Sequence, residues 1–253
     1  MSNCDLTLTL VGGPTVLIDI GAKRLITDPT FDEPGSYQGG VTLTKTSGPA
    51  VAAEAVGDID AVLLSHDQHF DNLDHAGRAL LPRARHVLTT EAGAARLDGH
   101  AEGLRPWDEV KLDSLRVTAT PARHGPVGIE PISGDVLGFV LTPEGGSGRS
   151  IYISGDTVWF DGVAEVARRF DIGVAVLFTG SAKPRGAFHM TMDANDAIEA
   201  AHAFPNATIV AIHNEGWEHF TETQDELALA FEALGLGARL ERLQRGVPVQ
   251  LRL

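Results

Sequence analysis

The segment Ser65-His66-Asp67-Gln68-His69-Phe70-Asp71-Asn72-Leu73-Asp74 crowds imidazoles and carboxylates into one short stretch. Three more groups of the same kind are scattered downstream. They are His124 in Ala122-Arg123-His124-Gly125-Pro126, Asp156 in Ser154-Gly155-Asp156-Thr157, and His213 in Ile212-His213-Asn214-Glu215. Neutral imidazole together with carboxylate suits zinc, and also manganese or iron. A bound divalent ion lowers the pKa of its water from 15.7 to about 7, which yields hydroxide at neutral pH. Two such ions about 3.5–4 Å apart can share that hydroxide and polarise a substrate.

These residues can meet only if the fold brings them together, and the elements before them supply the means. Ala61 to Leu64 is an apolar run typical of a buried strand, and the His-rich segment follows it directly. His124 follows a strand over Leu115 to Thr120, Asp156 follows Ile151 to Ile153, and His213 follows Thr208 to Ile212. Ligands gather beyond the carboxyl ends of strands in α/β sheets, so four strands delivering His or Asp there would converge. Further strands are expected over Leu6 to Val11, Val16 to Ile20, Leu25 to Thr27, Val87 to Thr89, Val136 to Leu141, Ile172 to Phe178 and Val247 to Leu251. Helices are expected over Leu73 to Leu81, Val163 to Phe170, Asp193 to Phe204 and Leu227 to Leu234. The strands fall into two groups with helices interspersed. This suits a layered α/β architecture, two mixed sheets face to face with helices outside, as one domain over 1–253. Residues 32–57, rich in Gly, Pro, Ser and Thr, read as a long surface loop and part of a substrate lid.

On these motifs the chain resembles the metallo-β-lactamase superfamily hydrolases, whose first motif reads His-x-His-x-Asp-His. It looks closest to the branch of ascorbate-phosphate lactonases and N-acylphosphatidylethanolamine phospholipase D enzymes. The opening Leu10-Val11-Gly12-Gly13-Pro14-Thr15-Val16-Leu17-Ile18, followed by Leu25-Ile26-Thr27-Asp28-Pro29, is similar to that branch's start. The resemblance implies a four-layer αββα sandwich. It also implies metal ligands at His66, His69, Asp71, His124, Asp156 and His213, with Asp156 bridging two ions. Three departures stand out. Gln68 lengthens His-x-His to His-x-x-His, leaving open whether His66 or His69 points away. Asn72 replaces a second-site histidine and is either a weak ligand or a helix cap. Gly13 stands where the branch often has histidine.

Other residues carry competing readings. Asp67 and Asp74 are expected behind the ligands or as caps. His189, in Phe188-His189-Met190 before a helix, is similar in place to an active-site histidine of the phospholipase D relatives; it is read as facing substrate or donating a proton, as Asp71 also could. His219 is expected as a pocket wall or supporting group. His75, His86, His100 and His202 are assigned to surface or helix faces. Trp159, Phe160 and Trp217 read as core before pocket lining. Lys183 and Arg185 are the basic pair near a site segment; a solvated loop is the preferred reading, with a substrate anion as the other.

Composition narrows the classes further. A net charge of −14 over 253 residues, with no basic run, disfavours nucleic acid and anionic membranes. Cys4 is the single cysteine and reads as incidental; no intramolecular disulfide can form. No stretch is long enough to span a bilayer, so the cytoplasm is the expected compartment. A small-molecule substrate is expected, and a homo-oligomer is left open. The resulting expectation is a metal-dependent hydrolase that uses a metal-bound hydroxide on an ester, lactone, amide or phosphoester. The alternatives are a metal-binding protein of the same fold with a degenerate second site, and a nuclease.

Overall fold

The computed structural model describes residues 5–145 and 148–253. Cys4, Gly146 and Ser147 lie outside the described residues.

Two seven-stranded sheets carry the fold. The first contains β1 (Asp5–Gly12), β2 (Thr15–Ile20), β3 (Lys23–Thr27), β6 (Ile59–Leu63), β7 (Ala84–Thr90), β8 (Glu102–Leu104) and β16 (Val249–Arg252). Its order is β16-β1-β2-β3-β6-β7-β8. The second contains β9 (Glu109–Leu112), β10 (Leu115–Pro121), β11 (Leu137–Pro143), β12 (Ser150–Ile153), β13 (Ile172–Phe178), β14 (Thr208–Ile212) and β15 (Leu240–Glu241). Its order is β15-β14-β13-β12-β11-β10-β9. Both are mixed: β3, β6, β7 and β8 run parallel, as do β12 to β15, while their other neighbours pair antiparallel. The sequence halves map onto the sheets except for β16, which leaves the second half to pair with β1.

Strand periodicity explains why apolar runs are buried on both sides. In β13, Val174, Val176 and Phe178 face the other sheet, while Ala175 and Leu177 face helices. Leu6, Leu8, Leu10, Val16 and Ile18 meet Val117, Phe139, Ile151 and Val210 between the sheets. Full burial of each such side chain contributes about 1.5–3 kcal/mol. Outside the second sheet lie α4 (Asp161–Arg169), α5 (Ala194–Ala203) and α6 (Gln224–Ala233). Ala197, Ala200 and Ala201 of α5 form the expected apolar face, and Asp193 caps it by accepting from the Asp196 amide. A capping box of Thr223 and Glu226 starts α6. Outside the first sheet lie α1 (His75–Leu80) and α2 (Glu91–Arg96).

The helix expected over Leu73 to Leu81 is shorter, because Asp74 caps it and a 3-10 turn over Leu81–Arg83 replaces its end. The segment 32–57 is also more ordered than a loop. It holds a hairpin of β4 (Gly35–Tyr37) and β5 (Leu43–Lys45), then a 3-10 turn over Ala53–Val56. Lys45 is almost fully buried and its Nζ lies 2.9 Å from Asp74 Oδ2, so the hairpin is pinned to the start of α1. A fourth-turn element, α3 (Glu130–Ser133), lies in the stretch after His124. No helix of the described residues is long and apolar enough to cross a membrane.

Candidate metal centre

The carboxyl ends of β6, β10, β12 and β14 meet at one edge of the sandwich, and each continues into a residue singled out by its type. His66, Asp71, His124, Asp156 and His213 are all buried there. Two groupings emerge, each with ligand-type atoms within 4.8 Å of one another: His66, His69, His124 and Asp156, and Asp71, Asp156 and His213. Asp156 belongs to both.

In the first grouping both histidines of the lengthened motif point inward. His66 Nε2 lies 2.8 Å from His69 Nδ1, and His124 Nε2 lies 3.3 Å from the same atom. The extra residue is absorbed by turning its neighbours outward and by offering Nδ1 of His69 where His66 offers Nε2. Asp67 leaves the cluster for a bidentate pairing with Arg96. Gln68 packs against Gly134, where a Cβ would lie 2.1 Å from its amide nitrogen.

Outer partners assign the tautomers. His124 Nδ1 faces the Met190 carbonyl at 2.8 Å and must donate, which leaves Nε2 as a lone pair. Ser65 Oγ donates to Asp28 Oδ1 at 2.9 Å and accepts from His66 Nδ1 at 2.9 Å, so His66 Nε2 is also a lone pair. Burial, then the neighbouring His124, pushes the His69 ring down to about 4; burial and His69 hold His66 well below its usual value. His66 and His69 are therefore neutral at physiological pH.

The second grouping is anionic. Burial alone would raise the Asp71 carboxyl, but the His219 and His213 rings hold it below the usual carboxylate range. Asp156 is likewise held low against burial, by His213, His124 and His66. His213 is raised despite burial, chiefly by Asp156. Asp28 shows the opposite balance: burial and the nearby Asp156 push it well up.

Backbone geometry aims these groups. Gly155 has φ +59, and a Cβ there would lie 2.5 Å from the Leu137 carbonyl oxygen, so only glycine admits the turn that presents Asp156. His213 itself has φ +56, a conformation costing of order 1–2 kcal/mol for a residue with a side chain, and its amide donates to the Gly13 carbonyl. Gly13 has φ +54, and a Cβ there would lie 3.2 Å from Trp217 Nε1. The Trp217 ring thus occupies the space that a side chain at position 13 would need.

The remaining expectations divide. Asn72 is fully buried beside the ligands, with neither amide atom hydrogen-bonded among the described residues; Asp74, not Asn72, caps α1. His189 is turned from the cleft. Its Nε2 lies 3.1 Å from Asp196 and its Nδ1 3.6 Å from Asp193, at the start of α5. Its neighbour Met190 lines the cleft instead. Trp159 and Phe160 pack on the α4–α5 core, and Trp217 packs with Tyr37 and Leu43. His219 was expected as a wall, and it does line the cleft, yet its Nε2 also lies 2.9 Å from Asp71 Oδ2. Arg185, expected in solvent, lines the same cleft. Asp28 drew no functional reading, although Thr27-Asp28-Pro29 carries the same signal as the others, an acid at a strand end.

The donor set fits a cation. Asp71 Oδ1, Asp156 Oδ1, both ring nitrogens of His213 and His219 Nδ1 are buried without a hydrogen-bond partner among the described residues. Buried carboxylates and imidazoles left so are costly unless something positive joins them. A cleft of about 580 Å³, partly open to solvent, exposes His69, Asp71, His124 and His219. The hairpin residues Gly39, Gly40, Val41 and Leu43 form one wall, as a lid would.

Comparison with known proteins agrees with this geometry. Residues 23–214 match the family described as the Beta-lactamase superfamily domain. A UPF0173 metal-dependent hydrolase of Pelotomaculum thermopropionicum is 28% identical over 252 residues, covering 96% of this chain and 99% of that protein. The UPF0173 protein YddR of Bacillus subtilis is 25% identical over 239 residues, covering 88% and 91%. Among solved structures, the isothiocyanate hydrolase from Delia radicum gut bacteria superposes with a TM-score of 0.86 at 26% identity, covering 98% of this chain and 100% of that one. A possible metal-dependent hydrolase of Veillonella parvula has the same fold, with a TM-score of 0.84 at 18% identity. With its two packed sheets and the His/Asp centre at their shared edge, the chain belongs to the β-lactamase superfamily, in the company of that superfamily's metal-dependent hydrolases.

Proposed function

We propose that the chain hydrolyses a small molecule at an ester, lactone, amide or phosphoester bond, using one or two divalent ions, zinc before manganese or iron. His66, His69, His124 and Asp156 would hold one ion; Asp71, Asp156 and His213 would hold a second. The observation that carries this reading is the convergence of imidazoles and carboxylates from the ends of four strands, with buried atoms of Asp71, Asp156 and His213 left without a hydrogen-bond partner among the described residues. A bound divalent ion lowers the pKa of its water toward neutrality and stabilises negative charge on oxygen.

The chain's own residues do the rest. The Met190 carbonyl and the Asp28–Ser65 pair fix which ring nitrogens of His124 and His66 face inward. Asp71, held ionised, can accept a proton but has none to donate at neutral pH. His219, on the cleft wall with Nδ1 free of protein partners, is better placed than His189 to return a proton to the leaving group. The apolar hairpin wall excludes water from the far side of the substrate.

The test uses purified protein stripped of metal and reloaded with zinc, manganese or iron. It is assayed on esters, lactones, amides and phosphodiesters, with an isothiocyanate added because of the structurally similar hydrolase. Metal-dependent turnover of any of them, lost in His124→Ala, supports the reading. No turnover, with His124→Ala changing stability alone, overturns it. A second reading is a metal-binding protein with little catalysis, favoured by the buried, unbonded Asn72 amide where the family has a ligand. It predicts metal at the first grouping and none at the second.

A further inference from the structure

The segment between β13 and α5 brings Ala182, Pro184 and Arg185 to the cleft, opposite the tip of the β4–β5 hairpin. The Arg185 side chain lies against Gly40: a Cβ on that glycine would be 3.3 Å from Arg185 Nη2. Arg185 is half-buried. Its positive charge also reaches His69, as one of the influences that keep that ring neutral.

The guanidinium makes no hydrogen bond or ion pair with any described residue. Arg168, Lys183 and Arg252 also lack such a partner but are exposed, whereas Arg185 is half-buried. Arg24 pairs with Asp19, Arg96 with Asp67, Arg105 with Glu91, Arg169 with Glu165 and Arg242 with Asp225. Among the described residues, Arg185 is also the only arginine or lysine on this cleft's wall. The one carboxylate on that wall is Asp71, which faces His219. Most of the remaining surface is apolar, including Val41, Leu43, Phe70 and Met190. A planar fork of donors, partly desolvated and facing an apolar cleft, matches an oxyanion bound through two parallel hydrogen bonds.

We infer that Arg185 is a specificity-determining residue that selects substrates carrying a terminal carboxylate or phosphate-type group in addition to the bond that is cleaved. This rests on the reading of the His/Asp cluster as the hydrolytic centre. The substrates are thus anionic metabolite-sized esters, lactones or amides, and a neutral apolar substrate is a poor fit. The guanidinium holds the anionic end while the scissile bond lies at the histidines and aspartates.

The test reads binding rather than turnover. Succinate, glutarate and adipate, each beside its monomethyl ester, and 3-phosphonopropionate are titrated calorimetrically into zinc-loaded wild type, Arg185→Gln and Arg185→Lys. Metal content is measured on the same samples. At least one doubly anionic probe is expected to bind wild type about tenfold or more tightly than the monomethyl esters. That preference should fall to within about twofold in Arg185→Gln and be partly kept in Arg185→Lys. A preference confined to the phosphonate, or to the dicarboxylates, tells which oxyanion the fork takes. Metal-loaded wild type with no preference for any dianion, or a preference that survives in Arg185→Gln, overturns the inference while leaving the centre intact. Failure of the wild type to hold zinc overturns the hydrolytic reading, and this inference with it.

Discussion

The two halves of the centre are built from the same residue types but balanced differently. Around His69, three imidazoles crowd together, and burial with repulsion between neighbouring rings keeps His66 and His69 neutral. Around Asp71, carboxylates and imidazoles interleave: the rings hold Asp71 ionised against burial, and Asp156 raises His213. The first half is an array of lone pairs fixed by outer hydrogen bonds. The second is a charge network that already satisfies part of its own electrostatics. A cation entering the first half meets little competition from protons near neutrality. A cation entering the second must displace the Asp71–His219 and Asp156–His213 attractions. Asp156 is the hinge of the comparison, since it serves both.

The largest effect is therefore expected at Asp156. Asp156→Ala should lower metal content in both halves and reduce any metal-dependent turnover by about a thousandfold or more, read by elemental analysis and assay. Retention of two ions per chain would mean that the halves are independent. His124→Ala and His213→Ala should separate them, each losing one ion while the other stays, with turnover down by about 100-fold or more. Identical losses in the two variants would make the distinction between the halves empty.

The contrast also predicts a pH profile for chelator-treated protein. His66 and His69 resist protonation when folded, so the unfolded chain binds more protons between about pH 4 and 6.5, and stability falls as pH drops through that window. The His69 shift alone is worth about 3 kcal/mol at most. His213 works with the opposite sign: its folded pKa is raised, so its stabilisation is complete below 6.5 and is lost as pH rises above that value. The raised Asp28 carboxyl acts with the same sign as His213, weakening stability as pH rises above about 4. The His69 contribution is therefore read against His69→Ala: wild type should lose melting temperature relative to the variant as pH falls from about 6.5 to 4, and a constant difference would contradict the assignment. A smaller effect is expected at Asp67. Asp67→Ala leaves the half-exposed Arg96 unpaired and removes the contact that anchors the segment between His66 and His69; it should cost about 1–3 kcal/mol by denaturant melts and weaken metal binding about tenfold in the first half alone.

How much of this could be read in the sequence followed from local signals. Strands such as Ile151 to Ile153 and Thr208 to Ile212 are mostly apolar and were delimited by their pattern, and Asp156 and His213 just beyond them fall in the centre. The inward placement of both His66 and His69 was not legible. It depends on Arg96, distant in sequence, drawing Asp67 away. His219 was ambiguous because it follows no strand and reaches Asp71 across a turn. The sequence leaves Arg185 between a solvated loop and a substrate anion because the hairpin that faces it is itself not legible, its strands being three residues each. His189 is read toward the substrate from its position before a helix, and in the fold two acids of that same helix entry engage its ring.

The crossing of β16 to the first sheet has a consequence for how the chain reaches its folded state. Residues of β1 pair with residues some 240 positions later, as in Leu6 with Leu251. During synthesis, the β1–β2 hairpin forms early with the outer side of β1 unpaired, and that side is closed only when the last strand emerges. Until then the molecule presents an open edge rich in leucine, the kind of edge that recruits strands from other chains. A chain shortened before Val249 would keep every residue of the His/Asp cluster and still carry that edge, so its failure would appear as aggregation rather than as lost chemistry.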